Sequence, residues 1–589
     1  MCRSCVGDVF GPVEFVRNEL SRSQFVAGAA LAAGALAAGM PRRAAAGQSV
    51  DTIFRGGTIL PVAGPSRTAQ AVAIGGGRIL AVGSEADVLA YKSAGTSVVD
   101  LGGRTLLPGF IDPHQHTVTG ALIAAVFTYG GYPQYKTRQD VLNLAKDLAS
   151  KAPPGGWVYI TAYDNLLQGG DLSMADLDAV SKTVPIMVYY INMHTATANG
   201  IAFEKAFARA KIPQDVKELP GGGHFGRDTS GKFDGMIYEE SALKPFLVGV
   251  PKITPELAGN AVIKWLETNA AAGNTCVHEA GVLVFGNLLE NYERISKQTP
   301  CRASISLMYD SMAAGDIYKK LGVGARATEV PGTLFSLYAI KIVGDGSNQT
   351  LTAAQTQPYL NTTTKGSPNY DAAQLNKMVA EVKANGWPVS IHCNGDNTLD
   401  LALDAIETTY GANPATGVNR IEHCTITRPE QIVRMKKLGV QPSFLMNHVY
   451  YYGAAYRDQL FGPERTARMD PAAQCVAEGL PFTIHTDAPC SNIGTLQLIQ
   501  TAVTRVCSLD NTVVGPDQAV SLDEALKAVT IHAAGQIGLA DSLGTIEPGK
   551  YADLTILESD PYKIDPHKIM EIKVSETWVN GKQMFGQGT

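Results

Sequence analysis

One repeated unit constrains this chain more than any other feature: a helical stretch, a Gly turn, and a short apolar run that closes on a histidine or an aspartate. Leu375, Met378, Val379 and Val382 recur at helical spacing between a capping Asp371 and Gly386, and Pro388-Val389-Ser390-Ile391-His392 follows as a strand. Leu399, Ala402, Leu403 and Ile406 mark the next helix, and Arg420-Ile421-Glu422-His423 the next strand. The cycle continues through a helix near 430–437, a strand at 440–444, a helix before Gly479 and a strand over 481–487. Such alternation implies a parallel sheet. For a chain of 589 residues a (β/α)₈ barrel is the first expectation and a doubly wound open sheet the alternative.

The two ends of the sequence read differently. Residues 52–60 and 71–83, and near the other end 552–557 and 576–582, are apolar runs punctuated by Gly, as in a small antiparallel sheet unit. Chain ends often lie close in space, so the two regions are expected to pair. A stretch from about 163 to 246, rich in Gly, Asp and aromatic residues, breaks the barrel rhythm and reads as an inserted subdomain over the barrel mouth.

At the start, Arg17 and Arg22 precede a mildly apolar run over 25–40 and the small-residue segment Ala44-Ala45-Ala46-Gly47. That pattern describes an export signal over 1–46, too short for a comfortable membrane span. Ser21-Arg22-Ser23-Gln24-Phe25-Val26 resembles a twin-arginine signal with Ser23 in place of the second arginine, so export by the twin-arginine or the general secretory route is expected; the protein stays cytoplasmic if the signal does not function. The net charge of −6 offers no broad basic field, which argues against nucleic acid as a partner. Nine cysteines are too sparse for a disulfide scaffold. Cys2-x-x-Cys5 would leave with the signal, and Cys393 and Cys424, each following a histidine, read as buried thiols.

Candidate metal ligands gather where strands end. In Leu106-Leu107-Pro108-Gly109-Phe110-Ile111-Asp112-Pro113-His114-Gln115-His116 the strand period of two puts both imidazoles on one face. Lys341 lies in an apolar run before Asp345-Gly346, and His392, His423 and Asp487 each close a later strand. Side chains at the carboxyl ends of barrel strands converge on one pocket, and four histidines, a carboxylate and a lysine suit a two-metal hydrolytic site. Other chemistries lack their signs. Residues 544–550 read G-x-x-x-x-G-K, but Tyr551 replaces the required Ser or Thr; no G-x-S-x-G occurs; His278-Glu279 lacks a second zincin histidine; and the glycine-rich 221–226 has neither a leading strand nor a following helix.

With these residues in view the sequence resembles the amidohydrolase superfamily, and within it the YtcJ-like hydrolases of amidohydrolase family 3. The carriers are the 108–116 motif, Lys341 with Asp345-Gly346-Ser347, Ile391-His392-Cys393-Asn394-Gly395-Asp396, Ile421-Glu422-His423, Thr486-Asp487-Ala488-Pro489 and the closing Gly544-Thr545-Ile546-Glu547-Pro548-Gly549-Lys550-Tyr551-Ala552-Asp553-Leu554. The resemblance implies a distorted barrel over 107–542 and a β-sandwich built from 47–106 and 543–589. It implies one or two divalent ions, zinc first. His114, His116 and Asp487 would hold one ion, His392 and His423 the other, with Lys341 bridging as a carbamate. An unmodified lysine is cationic, so bridging needs carboxylation.

The implied activity is hydrolysis of a C–N bond in an amide or cyclic amide by metal-activated hydroxide, with Asp487 as ligand and proton shuttle. An ester, lactone or deamination substrate is the alternative on the same scaffold, and a catalytically silent binding or regulatory barrel the alternative outside enzymes. His194, His448 with its neighbour Tyr450, and His485, two residues before Asp487 and on its face, are expected to line the substrate pocket. His224, His532 and His567 read as structural or solvated. A small-molecule substrate is the expected partner, with no membrane span after signal removal and homo-oligomer formation left open.

Overall fold

A computed structural model describes residues 49–587 except 65, 220–222, 283–293, 296, 311–327, 330–331 and 412–416. The segment expected to be an export signal, 1–46, the Cys2 and Cys5 pair and part of the 220–226 turn therefore lie outside the described residues.

Eight parallel strands form the central sheet: β1 (Phe110–Gln115), β2 (Asn274–Val282), β3 (Arg302–Met308), β4 (Phe335–Val343), β5 (Val389–Cys393), β6 (Arg420–His423), β7 (Gln441–Phe444) and β8 (Thr483–Ile484). Each pairs with its neighbour in chain order. Just past the ends of β8 and β1 the backbone joins last to first. Asp487 N–H donates to His114 O at 3.0 Å, and His116 N–H donates to Ala488 O at 2.7 Å, which brings the sheet to near closure as a barrel.

Local sequence explains the layer outside it. The helix Ala372–Ala384 starts on a capping box in which Asp371 accepts from Gln374 N–H, and it buries Leu375, Met378, Val379 and Val382 on the barrel side. Each such side chain contributes about 1.5–3 kcal/mol by leaving water. The helices Pro429–Leu438 and Ala472–Glu478 end on Gly439 and Gly479 at φ 66° and 63°, a left-handed stop that a β-carbon would disfavour. Cys393 and Cys424 are free and buried.

The chain ends meet as the sequence implied. Thr105–Pro108 pairs antiparallel with Leu554–Leu557 inside one continuous eight-stranded sheet, over a core that includes Phe54, Val72, Ile74, Leu106 and Ile556. A buried ion pair ties this sheet to the barrel: Arg302 Nε, from the start of β3, lies 2.7 Å from Asp553 Oδ2.

A third, six-stranded sheet runs from Thr128–Tyr129 through Val158–Tyr163, Ile186–Tyr190, Thr195–Ala198 and Phe233–Tyr238 to His224–Arg227. It begins well before residue 163, the start expected for the insert. The helix Arg138–Lys151 and the strand Val158–Tyr163 have ordinary β/α text; only their pairing shows that the strand joins Ile186–Tyr190 and not β1. Among the described residues no helix is long and apolar enough to cross a membrane.

Candidate metal centre

His114 ends β1 and His116 caps the following helix, Thr117–Val126. Asp487 stands just beyond β8, where the sequence reading had extended the strand; its φ of 56° turns the chain off the sheet and carries the carboxylate inward. The Nε2 atoms of His114 and His116 each lie 3.2 Å from Asp487 Oδ1. His114 Nε2, both ring nitrogens of His116, Lys341 Nζ and Asp487 Oδ1 are buried without a hydrogen-bond partner. A buried polar atom left unpaired costs about 1–3 kcal/mol, and a cation would satisfy the two Nε2 atoms and the carboxylate oxygen among these five, with the Lys341 amine joining them only after losing its charge. Imidazole nitrogens with one carboxylate are also the donor set of a divalent transition metal. The residues present fit such an ion.

The ligand atoms of His114, His116 and Asp487 lie within 4.8 Å of one another, and so do those of His114, His423 and His485. His485 thus belongs deeper in the cluster than a substrate-facing residue. Its ring stacks on that of His114 at 4.5 Å, Nε2 is 3.2 Å from His423 Nδ1, and Nδ1 is 2.7 Å from Ser443 Oγ. His392 stands beside His423, with ring centroids 4.6 Å apart, and its Nδ1 is 3.0 Å from Asp345 Oδ1.

Electrostatics prepare the cluster. Burial pushes His116 down to about 4 and His392 to about 3, and holds His423 and His485 well below the usual imidazole range, so these rings are neutral near pH 7, the form in which an imidazole ligates a metal. Burial would raise the Asp487 carboxyl, but the adjacent imidazoles of His114 and His116 outweigh it and hold the acid well below the usual carboxylate range. Burial lowers Lys341 to about 8, against the opposing pull of Glu422 and Asp487. The lysine stem runs past Gly281, where a β-carbon would come 3.1 Å from Lys341 Cγ.

A ring of supporting groups was not assigned from the sequence. Glu422 Oε2 is 2.7 Å from His114 Nδ1, and its other oxygen takes bonds from Ser390 Oγ and from Arg420 Nε, the latter at 2.6 Å. Asp345 receives the backbone N–H groups of Asn394 and Gly395 in addition to facing His392. Asp112 accepts from Gln115 Nε2 at 2.7 Å and from Thr486 Oγ1. All three carboxylates stand inside the quoted motifs, which was the available signal. Strand alternation hid Glu422, because it assigns adjacent residues to opposite faces. His423 at φ 72° breaks that alternation and lets both side chains reach the cluster.

Above the cluster lies a cavity of about 50 Å³ lined by His194, His392, His423, His448, Tyr452 and Asp487 among others. His194 Nδ1 faces Glu239 Oε2 at 3.1 Å, and His448 Nδ1 faces Thr425 Oγ1 at 3.2 Å; burial pushes His448 down to about 3. Tyr450 does not line this cavity. Its hydroxyl is turned towards Met570 Sδ, 4.0 Å away, and Tyr452 is the tyrosine facing the cluster, held by a hydrogen bond to Asp164. The irregular helical turns over His448–Tyr452 account for the exchange, since their i+5 bonding shifts which residues share a face. His278 is held between Ser304 and Ser306, His224 stacks on Tyr238, and His532 faces Phe482 O.

The model of a family described as the amidohydrolase family matches residues 97–585. The N-substituted formamide deformylase of Arthrobacter pascens is 26% identical over 546 residues, covering 91% of this chain and 98% of that protein. The putative amidohydrolase YtcJ of Bacillus subtilis (strain 168) is 24% identical over 553 residues, covering 91% and 99%. Among solved structures, an uncharacterized metal-dependent hydrolase from Pyrococcus horikoshii OT3 superposes with a TM-score of 0.67 at 21% identity, covering 87% of this chain and 99% of that one. This last likeness carries the fold.

Proposed function

The chain belongs to the amidohydrolase family and is a metal-dependent hydrolase, and from that premise we propose that the bond it cleaves is the C–N bond of an amide or cyclic amide. The observation that carries the reading is the placement of Asp487. It is a buried carboxylate 3.2 Å from two imidazole nitrogens, and it also lines the cavity.

His114, His116 and Asp487 would hold one divalent ion, for which zinc is our choice, and His392 and His423 a second beside a carboxylated Lys341. Such ions supply a Lewis acid and make water acidic enough to serve as a nucleophile near neutral pH. The remaining work falls to the chain. Asp487, ionised at neutral pH, takes the proton of the attacking water on its carboxylate and returns it to the leaving nitrogen, which departs as a neutral amine. His448 and His194, each held through Nδ1 and both lining the cavity, orient the carbonyl. Carboxylation of Lys341 is supported by its burial, because a lysine lowered to about 8 keeps a neutral fraction able to add CO₂. The N-terminal Arg22 segment supports export as part of this reading.

The test is metal analysis of the purified protein with turnover of an amide panel. Stoichiometric metal, and amide hydrolysis lost in His116→Ala and Asp487→Asn, is the expected result. Hydrolysis that is unaffected by both changes in protein lacking stoichiometric metal would overturn the proposal.

A further inference from the structure

A second, larger cavity of about 660 Å³ adjoins the small one, and Ile191 and Ser491 line both. It lies along the helix that His116 caps. Gly120, Ile123 and Ala124 of that helix face it, so it reaches from one to two turns beyond the ligand, about 5–11 Å. Its walls are aromatic: Phe127, Tyr129 and Trp265 contribute, and none of its lining residues is charged.

Those walls are fixed in place. Trp265 Nε1 donates to Gln115 Oε1 at 3.2 Å, and the indole lies so close to the Thr117–Val126 helix that a β-carbon at Gly120 would meet Trp265 Cη2 at 2.7 Å. Tyr129 Oη donates to Asn492 Oδ1 at 3.1 Å. The small cavity has room only for the reacting carbonyl and its immediate atoms, whereas the adjoining one matches the size of an ordinary ligand pocket. A charged group placed there would give up part of its water and meet no countercharge among the lining residues.

From this pairing we infer that the substrate carries one neutral arylalkyl substituent, which occupies the chamber walled by Phe127, Tyr129 and Trp265 while a compact amide head sits at Asp487. This inference rests on the amide reading above. Whether the bulky group is borne by the nitrogen or by the acyl carbon is decided by two arms of one experiment.

One arm compares N-methyl, N-butyl and N-(2-naphthylmethyl) amides of the same compact acid; the other places the naphthyl group on the acyl side of an N-methyl amide. In at least one arm kcat/KM should rise about 100-fold from the smallest to the naphthyl substrate and fall at least 10-fold when the naphthalene bears a carboxylate. Ala124→Trp and Thr268→Trp, both at exposed positions on the cavity rim, should remove most of that gain and leave the N-methyl amide unchanged. Calorimetry with 2-naphthalenemethanol, which has no bond to hydrolyse, separates the two readings. If no amide is turned over, its binding to the full chain, weakened at least 10-fold in both variants, still supports the chamber. Equal kcat/KM across both arms, or alcohol binding that neither variant weakens, overturns it.

Discussion

Oε2 of Glu422 lies 2.7 Å from Nδ1 of His114, with both side chains fully buried. The contact fixes which imidazole nitrogen is left for Asp487 and for an ion, and Arg420 and Ser390 hold the carboxylate in turn. Glu422→Gln keeps the shape but loses the charge and one of the two acceptor oxygens. It should weaken metal binding about 10–100-fold, measured by competition with a chelator. Unchanged affinity would show that the contact serves packing alone.

In the proposed reaction Asp487 would combine ligation with proton transfer. Asp487→Asn should lower kcat at least about 100-fold, the usual contribution of a positioned acid–base group, in protein that still folds. Circular dichroism and metal content measured on the same preparation separate lost chemistry from lost structure.

Lys341 makes a claim that spectroscopy can read. Incubation with ¹³C-bicarbonate should give a carbamate carbon resonance that is absent in Lys341→Met, and the variant should bind fewer equivalents of metal. A spectrum identical in both proteins would restore the lysine to a simple amine.

Arg302 and Asp553 join the barrel to the sheet of the chain ends, at 2.7 Å and nearly out of solvent. Removing one partner leaves a buried charge, so Asp553→Ala should destabilise the protein by about 3–5 kcal/mol in denaturant unfolding. The double change Arg302→Met with Asp553→Leu should recover much of that loss.

Asp164 supplies a pH dependence away from the candidate metal ligands. Burial raises its carboxyl to about 6, despite the hydrogen bond from Tyr452. An acid raised in the folded state favours folding where it is protonated, so its contribution is complete below about 4 and disappears as pH rises through 6. The size is on the order of 3 kcal/mol. Asp164→Asn should flatten the stability profile between pH 4 and 6, followed by urea unfolding at several pH values.

Much of this was legible in the sequence, and the reasons are local. The capping box at Asp371 and the helical spacing of Leu375 to Val382 specify a helix by themselves, and a glycine at 439 or 479 specifies its stop. The strand-end positions of His114, His392 and His423 follow from apolar runs and motif order. Tyr450 and Tyr452 could not be separated that way, because an irregular helical turn changes which tyrosine faces inward.

What the sequence determined alone was therefore the kind of element at each place and the donor atoms each strand end carries. Only the tertiary structure decided which donors meet. His114 and Asp487 stand far apart in the chain, and their approach depends on two backbone hydrogen bonds that join the last barrel strand to the first. The assignment of 128–163 to a separate sheet, the ring of Glu422, Asp345 and Asp112, and the aromatic chamber beside the cluster arise in the same way. Each depends on pairing and closure between distant segments, which no local periodicity encodes.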